Sequence, residues 1–91
     1  MKNKLKAIFE LAKEYESLKP IGIDGTSYGY DEAVLGISTD GRLVYSVEKM
    51  IEVTVRDGDM NRLQAIEWLE YNTFNTYVGE MTPIWVYTKI N

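Results

Sequence analysis

An Asp-Gly pair set between two short apolar runs constrains this chain more than any other feature. Residues 33–38 (Ala-Val-Leu-Gly-Ile-Ser) and 43–47 (Leu-Val-Tyr-Ser-Val) flank Thr39-Asp40-Gly41-Arg42. Asp and Gly both tolerate positive φ, which tight hairpin turns demand, so the two runs predict a β-hairpin. A lone hairpin is marginal in water, and 91 residues make one small domain with a thin core. The hairpin therefore needs a third strand and covering helices.

The rest of the chain supplies them. Residues 3–19 carry Leu5, Ile8, Phe9, Ala12 and Tyr15 at helical spacing, widened by Leu11 and Leu18. That predicts an amphipathic helix stopped at Pro20, which has no amide proton to donate. Residues 20–32 hold Gly22, Gly25 and Gly29 with Asp24, Thr26 and Ser27, the composition of a loop. Residues 47–57 are ambiguous. Ile51, Val53 and Val55 alternate as in a strand, while Val47, Met50, Ile51 and Thr54 fit a helix. Helix is the better reading, with Ser46 as N-cap and Gly58 as stop. A third helix follows from about Asp59 or Asn61 to Tyr77, closed by Gly79. Pro83 then opens a β-branched, aromatic strand over 84–90. The order α-β-β-α-α-β predicts a single α+β domain over 1–91, with a three-stranded antiparallel sheet packed against helices.

Composition removes whole classes of chemistry. The chain has no Cys and no His. Disulfides, thiolate or imidazole metal sites and Ser-His-Asp or Cys-His catalytic units cannot be built from it. No cofactor, no metal and no catalytic residue is expected, and the chain reads as a non-enzyme. Net charge is −4, unevenly spread. Residues 1–20 carry five Lys and three Glu, whereas residues 21–91 carry five basic and eleven acidic groups. Direct nucleic-acid binding needs the opposite sign. Lys2, Lys4, Lys6 and Lys13 form a basic patch best read as a solubilising helix face. No stretch has the roughly 18 apolar residues of a membrane span. Glu10, Lys13 and Glu14 interrupt the N-terminal apolar run, so it does not read as a signal peptide. These features place the chain in the cytoplasm.

The third helix is apolar on two sides. Leu63, Ala65, Ile66, Leu69 and Tyr77 form one arc, and Trp68, Tyr71, Phe74 and Val78 the other. One arc faces the sheet. The other either packs under the N-terminal helix or is presented to a partner, for which aromatic residues make good anchors. Glu67 and Glu70, three apart beside the aromatics, have the spacing for acid–base work or a divalent cation, and equally that of a solvated helix face. Asp24, Asp31 and Glu32 make a thin case for a hard metal. The glycine stretch lacks the strand-loop-helix context of phosphate loops, and a mobile loop is the better reading. Its Tyr28 and Tyr30 suit adaptable ligand contacts. Tyr45, Tyr71, Tyr77 and Tyr87 extend a possible stacking groove, against the simpler reading that tyrosines fill a half-exposed core. An exposed aromatic face or strand edge also allows a homodimer.

Two sequence blocks carry a resemblance. Asp31-Glu32-Ala33-Val34-Leu35-Gly36, with Asp40-Gly41-Arg42-Leu43-Val44-Tyr45 and Lys49-Met50, forms one. Ala65-Ile66-Glu67-Trp68-Leu69-Glu70-Tyr71-Asn72-Thr73, with Gly79-Glu80 and Pro83-Ile84, forms the other. Together they resemble a family of small phage- and prophage-encoded proteins, over about residues 31–85. The resemblance implies phage origin and a helix at 47–57. Small acidic phage proteins without catalytic equipment often act by binding, as anti-CRISPR and other anti-defence factors do. The expectation is a protein that binds and inhibits a host protein complex in the host cytoplasm. Its partner-binding candidates are Trp68, Tyr71, Phe74, Glu67, Glu70, Asp40 and Arg42, within an acidic surface that also includes Glu48, Glu52, Asp57 and Asp59. Tyr28 and Tyr30 are the candidates of the alternative, a small-ligand or nucleotide-signal binder. A phage structural or assembly accessory is a further alternative.

Overall fold

Thr39-Asp40-Gly41-Arg42 forms the expected turn. In the computed structural model, which describes residues 2–88, Gly41 has φ +89°. Its amide donates to the Ser38 carbonyl at 3.0 Å, and Ser38 donates to the Arg42 carbonyl at 2.8 Å. Strand β1 (Val34–Ile37) pairs antiparallel with β2 (Leu43–Ser46). The register slips between Val34 and Gly36, a bulge that leaves Leu35 exposed.

Helix α1 (Lys2–Tyr15) ends four residues before the expected boundary. Pro20 is not its stop. Glu16 turns left-handed at φ +58°, and Ser17 donates back to the Ala12 carbonyl at 2.9 Å while Glu16 donates to that of Lys13 at 3.1 Å. This paired closure is the Schellman arrangement, here built on a non-glycine residue. The helix end is then fastened to the hairpin. Ser17 donates its hydroxyl to the Gly41 carbonyl, and the Tyr15 ring lies where a side chain on Gly41 would have to stand.

Ser46 caps α2 (Val47–Gly58) as expected, its hydroxyl accepting from the Lys49 amide at 3.2 Å. The stop is Asp59, left-handed at φ +51°, rather than Gly58. Gly58 is closely packed instead, since a Cβ there would stand 2.5 Å from Ile23 Cδ1 and would have to displace that side-chain end. Asn61 and Gln64 form a reciprocal capping box at the start of α3 (Arg62–Leu69). The helix then widens into a π-helical turn over Glu70–Phe74, short of the expected end at Tyr77.

The three-stranded sheet has the order β1-β2-β3, and β3 (Ile84–Val86) runs parallel to β2, not antiparallel. Two helices separate β2 from β3, a connection long enough for the crossover that a parallel pair requires and a tight hairpin cannot provide. Tyr45 pairs with Trp85 and Val44 with Ile84. Of the expected strand at 84–90, residues 89 and 90 lie outside the described residues. The fold is α+β, with one mixed sheet.

Strand alternation puts Leu43 and Tyr45 on the covered face, where they are fully buried with Met50, Ala65 and Leu69. Helix α1 lies against β1, and α3 lies against α2. The first arc of α3 is only partly correct. Ala65 and Leu69 are buried, but Leu63 and Tyr77 are 65% and 76% exposed. Leu63 sits about 200° from Ala65 around the helix, and Tyr77 lies beyond the π turn.

Candidate functional site

The glycine loop is a packed structure, not a cradle. Asp24 Oδ1 accepts from the Thr26 amide at 3.0 Å and its hydroxyl at 2.9 Å. Gly22 and Gly29 face one another across it. A Cβ on Gly22 would stand 3.1 Å from the Gly29 Cα, and a Cβ on Gly29 would stand 3.2 Å from the Gly22 Cα. Both glycines exist for this close backbone approach. Tyr30, assigned to a ligand surface from sequence, is 1% exposed and belongs to the core. Its hydroxyl meets Thr54 Oγ1 at 2.6 Å, and burial pushes its pKa up. Tyr28 is 64% exposed. Of the two tyrosines expected to act together, one thus lies in the core and the other in solvent.

The partner-binding candidates divide into three groups. Glu67, Trp68 and Tyr71 come together around a shallow hollow that also includes Asp59, Gln64 and Asn72. Glu70 is exposed on the same stretch, while Tyr71 is 88% exposed. Phe74 points the other way. Its ring packs on Trp85 with centroids 5.4 Å apart, so it supports the surface from beneath. The second arc of α3 therefore splits: Trp68 and Phe74 are half-buried against the core, and Tyr71 and Val78 face water. The wider π-helical repeat rotates residues after Leu69 out of α-helical phase, which no straight-helix projection shows.

Asp40 and Arg42 lie apart from that hollow, at a second concavity shared with Tyr77 and Glu80. Both have structural partners. Asp40 accepts from the Ser38 hydroxyl within the hairpin turn. Arg42 Nε donates to the Thr82 carbonyl at 2.7 Å, and Thr82 closes the 78–82 turn through its own hydroxyl, 2.9 Å from the Val78 amide and 2.6 Å from the Gly79 carbonyl.

Sequence reasoning missed a cleft of about 160 Å³ beside the π turn, lined by Lys19, Pro20, Ile21, Asn72, Val78, Pro83 and Trp85 among others. Three separate segments build it, so no local pattern announces it. Trp85 and two prolines in one concavity were the available signal. Asn72 belongs to both the cleft and the hollow, and its side chain is held by a 2.9 Å donation to the Trp68 carbonyl.

Charge on α2 is arranged differently. Arg56 pairs with Glu32 and with Asp57, each at 2.8 Å, and holds both carboxyls below their ordinary range. Glu48 accepts from the Thr88 amide at 2.9 Å and its hydroxyl at 2.9 Å, tethering the chain after β3. Of the expected acidic surface, Glu48 and Asp57 thus serve the fold, as does Glu32 outside it. Among the described residues no group of three or more Asp or Glu is arranged to hold a metal ion, and no described helix is long and apolar enough to cross a membrane.

Compared with protein-family models, curated proteins and solved structures, the chain matches none.

Proposed function

We propose that this chain is a phage-derived binding protein that inhibits a host protein complex, as an anti-defence factor does, through the face made by α3 and its π turn. The observation that carries the reading is Tyr71, an aromatic side chain 88% exposed on the π turn that continues α3. Beside it Glu67 and Asp59 line the same hollow. Aromatic area held in water on an ordered element is the usual anatomy of a recognition surface. A π-helical turn beside it adds support, since such turns recur at functional sites. The two motif blocks described above support a phage origin, and the host cytoplasm is then the place of action. Nothing in the chain supplies an imidazole or a thiol, so recognition is the economical role for this face.

Expression of the chain in bacteria that carry a CRISPR or restriction system tests the proposal. Phage plating efficiency should rise on expression, and Tyr71→Ala should reduce that rise while leaving the protein folded. Unchanged plating against both kinds of system would contradict the reading. A ligand-binding role through Tyr28 and Tyr30 has lost its geometric basis, because Tyr30 is buried.

A further inference from the structure

Asn72 lines both the hollow beside Tyr71 and the cleft over Trp85, so the two concavities adjoin and make a double groove with two chemistries. The hollow is acidic. Asp59 and Glu67 line it, and among the described residues neither has a cation within ion-pair distance. Arg62, the cation of the same helix, does not line it. The cleft is apolar. Pro20, Ile21, Val78, Pro83 and Trp85 line a half-open space of about 160 Å³, similar in volume to the roughly 150 Å³ that takes a benzene ring. One Phe, Leu or Ile side chain therefore fits. The cleft's one cation, Lys19, is already engaged, with Nζ 3.0 Å from Asp31 and 4.3 Å from the centre of the Phe9 ring.

We propose that this groove docks an extended basic segment of the partner protein, with an Arg or Lys over Tyr71 beside Glu67 and Asp59, and a nearby apolar side chain seated against Trp85. This rests on the protein-binding reading above and adds the partner's chemistry to it. Charge complementarity selects the occupant. Residues 21–91 carry five basic against eleven acidic groups, and a cation over a tyrosine face is drawn by the ring quadrupole as well as by the carboxylates. A second copy of the chain docked through this same face would bring the same acidic hollow to the site and meet like charge. An acidic segment would be repelled in the same way.

An array of 12-residue peptides that varies the number of Arg and Lys against the position of a single Phe or Leu, overlaid with the folded full chain, tests the inference. Retention should require both a basic residue and an apolar one, and should weaken as salt rises. In solution the best peptide should shift the indole signals of Trp68 and Trp85 together. Tyr71→Ala, Glu67→Gln and Val78→Asp should each weaken it about tenfold with the melting transition unchanged. Retention of acidic peptides, retention of none, or wild-type affinity in all three variants overturns the proposal. If basic peptides fail while the chain still relieves a defence system, the docking chemistry falls and the inhibitor reading stands. If peptides bind and no defence system is relieved, the groove stands and the inhibitor reading falls.

Discussion

The Tyr30 hydroxyl donates to Thr54 Oγ1 across 2.6 Å of buried space, joining the glycine loop to the middle of α2. The direction follows from the next bond. Thr54 gives its single hydroxyl proton to the Met50 carbonyl at 2.8 Å, so Tyr30 must be the donor. Tyr30→Phe removes one bond and leaves Thr54 satisfied, which should cost about 1 kcal/mol. Thr54→Val leaves the Tyr30 hydroxyl buried without an acceptor, and should cost about 1–3 kcal/mol. Chemical denaturation of the two variants checks the order. A Thr54→Val variant as stable as Tyr30→Phe would show that Tyr30 finds another acceptor.

Tyr45 predicts the opposite sign. It is fully buried between β1 and β3, and among the described residues its hydroxyl has no hydrogen-bond partner. Burial pushes its pKa far above the ordinary tyrosine value. An unpaired buried hydroxyl carries its desolvation cost with no return, so Tyr45→Phe should leave the protein as stable or raise its stability by up to about 1 kcal/mol. Thermal melting decides it, and a fall in the midpoint would contradict the assignment.

Two left-handed positions predict contrasting effects. Gly41 has φ +89°, and a Cβ there would stand 2.3 Å from the Tyr15 ring. Gly41→Ala should cost at least about 2 kcal/mol, from backbone strain and displaced packing together. Glu16 adopts φ +58° without being glycine, so Glu16→Gly should stabilise the end of α1 by about 0.5–1 kcal/mol. Denaturant midpoints of the pair should move in opposite directions.

Arg56 predicts a pH effect. Its guanidinium lowers the pKa of Glu32 and of Asp57 in the folded state. A carboxylate lowered on folding contributes stability above its unfolded pKa, and loses it as pH falls through the folded one. The contribution should therefore be present at neutral pH and disappear below about pH 4. In Arg56→Gln both carboxyls should titrate at higher pH by NMR. Unmoved titrations would mean that the pairs do not persist in solution.

The readable parts of this fold were the local ones. Asp40-Gly41 and the Ser46 cap each fix a turn or helix start through groups within four residues, and the Asn61–Gln64 box, equally local, went unread. The parallel docking of β3 depends instead on how two helices cross, which the β-α-α-β order leaves open and which the antiparallel expectation therefore missed. The Schellman closure at Glu16 was hidden because the residue is not glycine. Gly22 and Gly29 signalled a mobile loop by composition and Gly58 a helix stop, yet each is set against a neighbour far along the chain or by the loop's own return. On the candidate face, Tyr71 and Glu67 were visible from helical spacing. Phe74 and Tyr77 were misplaced because π-helical phase leaves no composition signal, and the Trp85 cleft is assembled from three distant segments.

The central claim is that the α3–π-turn face meets a protein partner. A photo-crosslinking amino acid placed at Tyr71, and in separate variants at the exposed positions Glu10 and Tyr28, tests it in bacterial cells whose defence the chain suppresses. The account predicts one discrete adduct from position 71 that is absent from positions 10 and 28. No adduct from position 71, or the same adduct from all three positions, would contradict it.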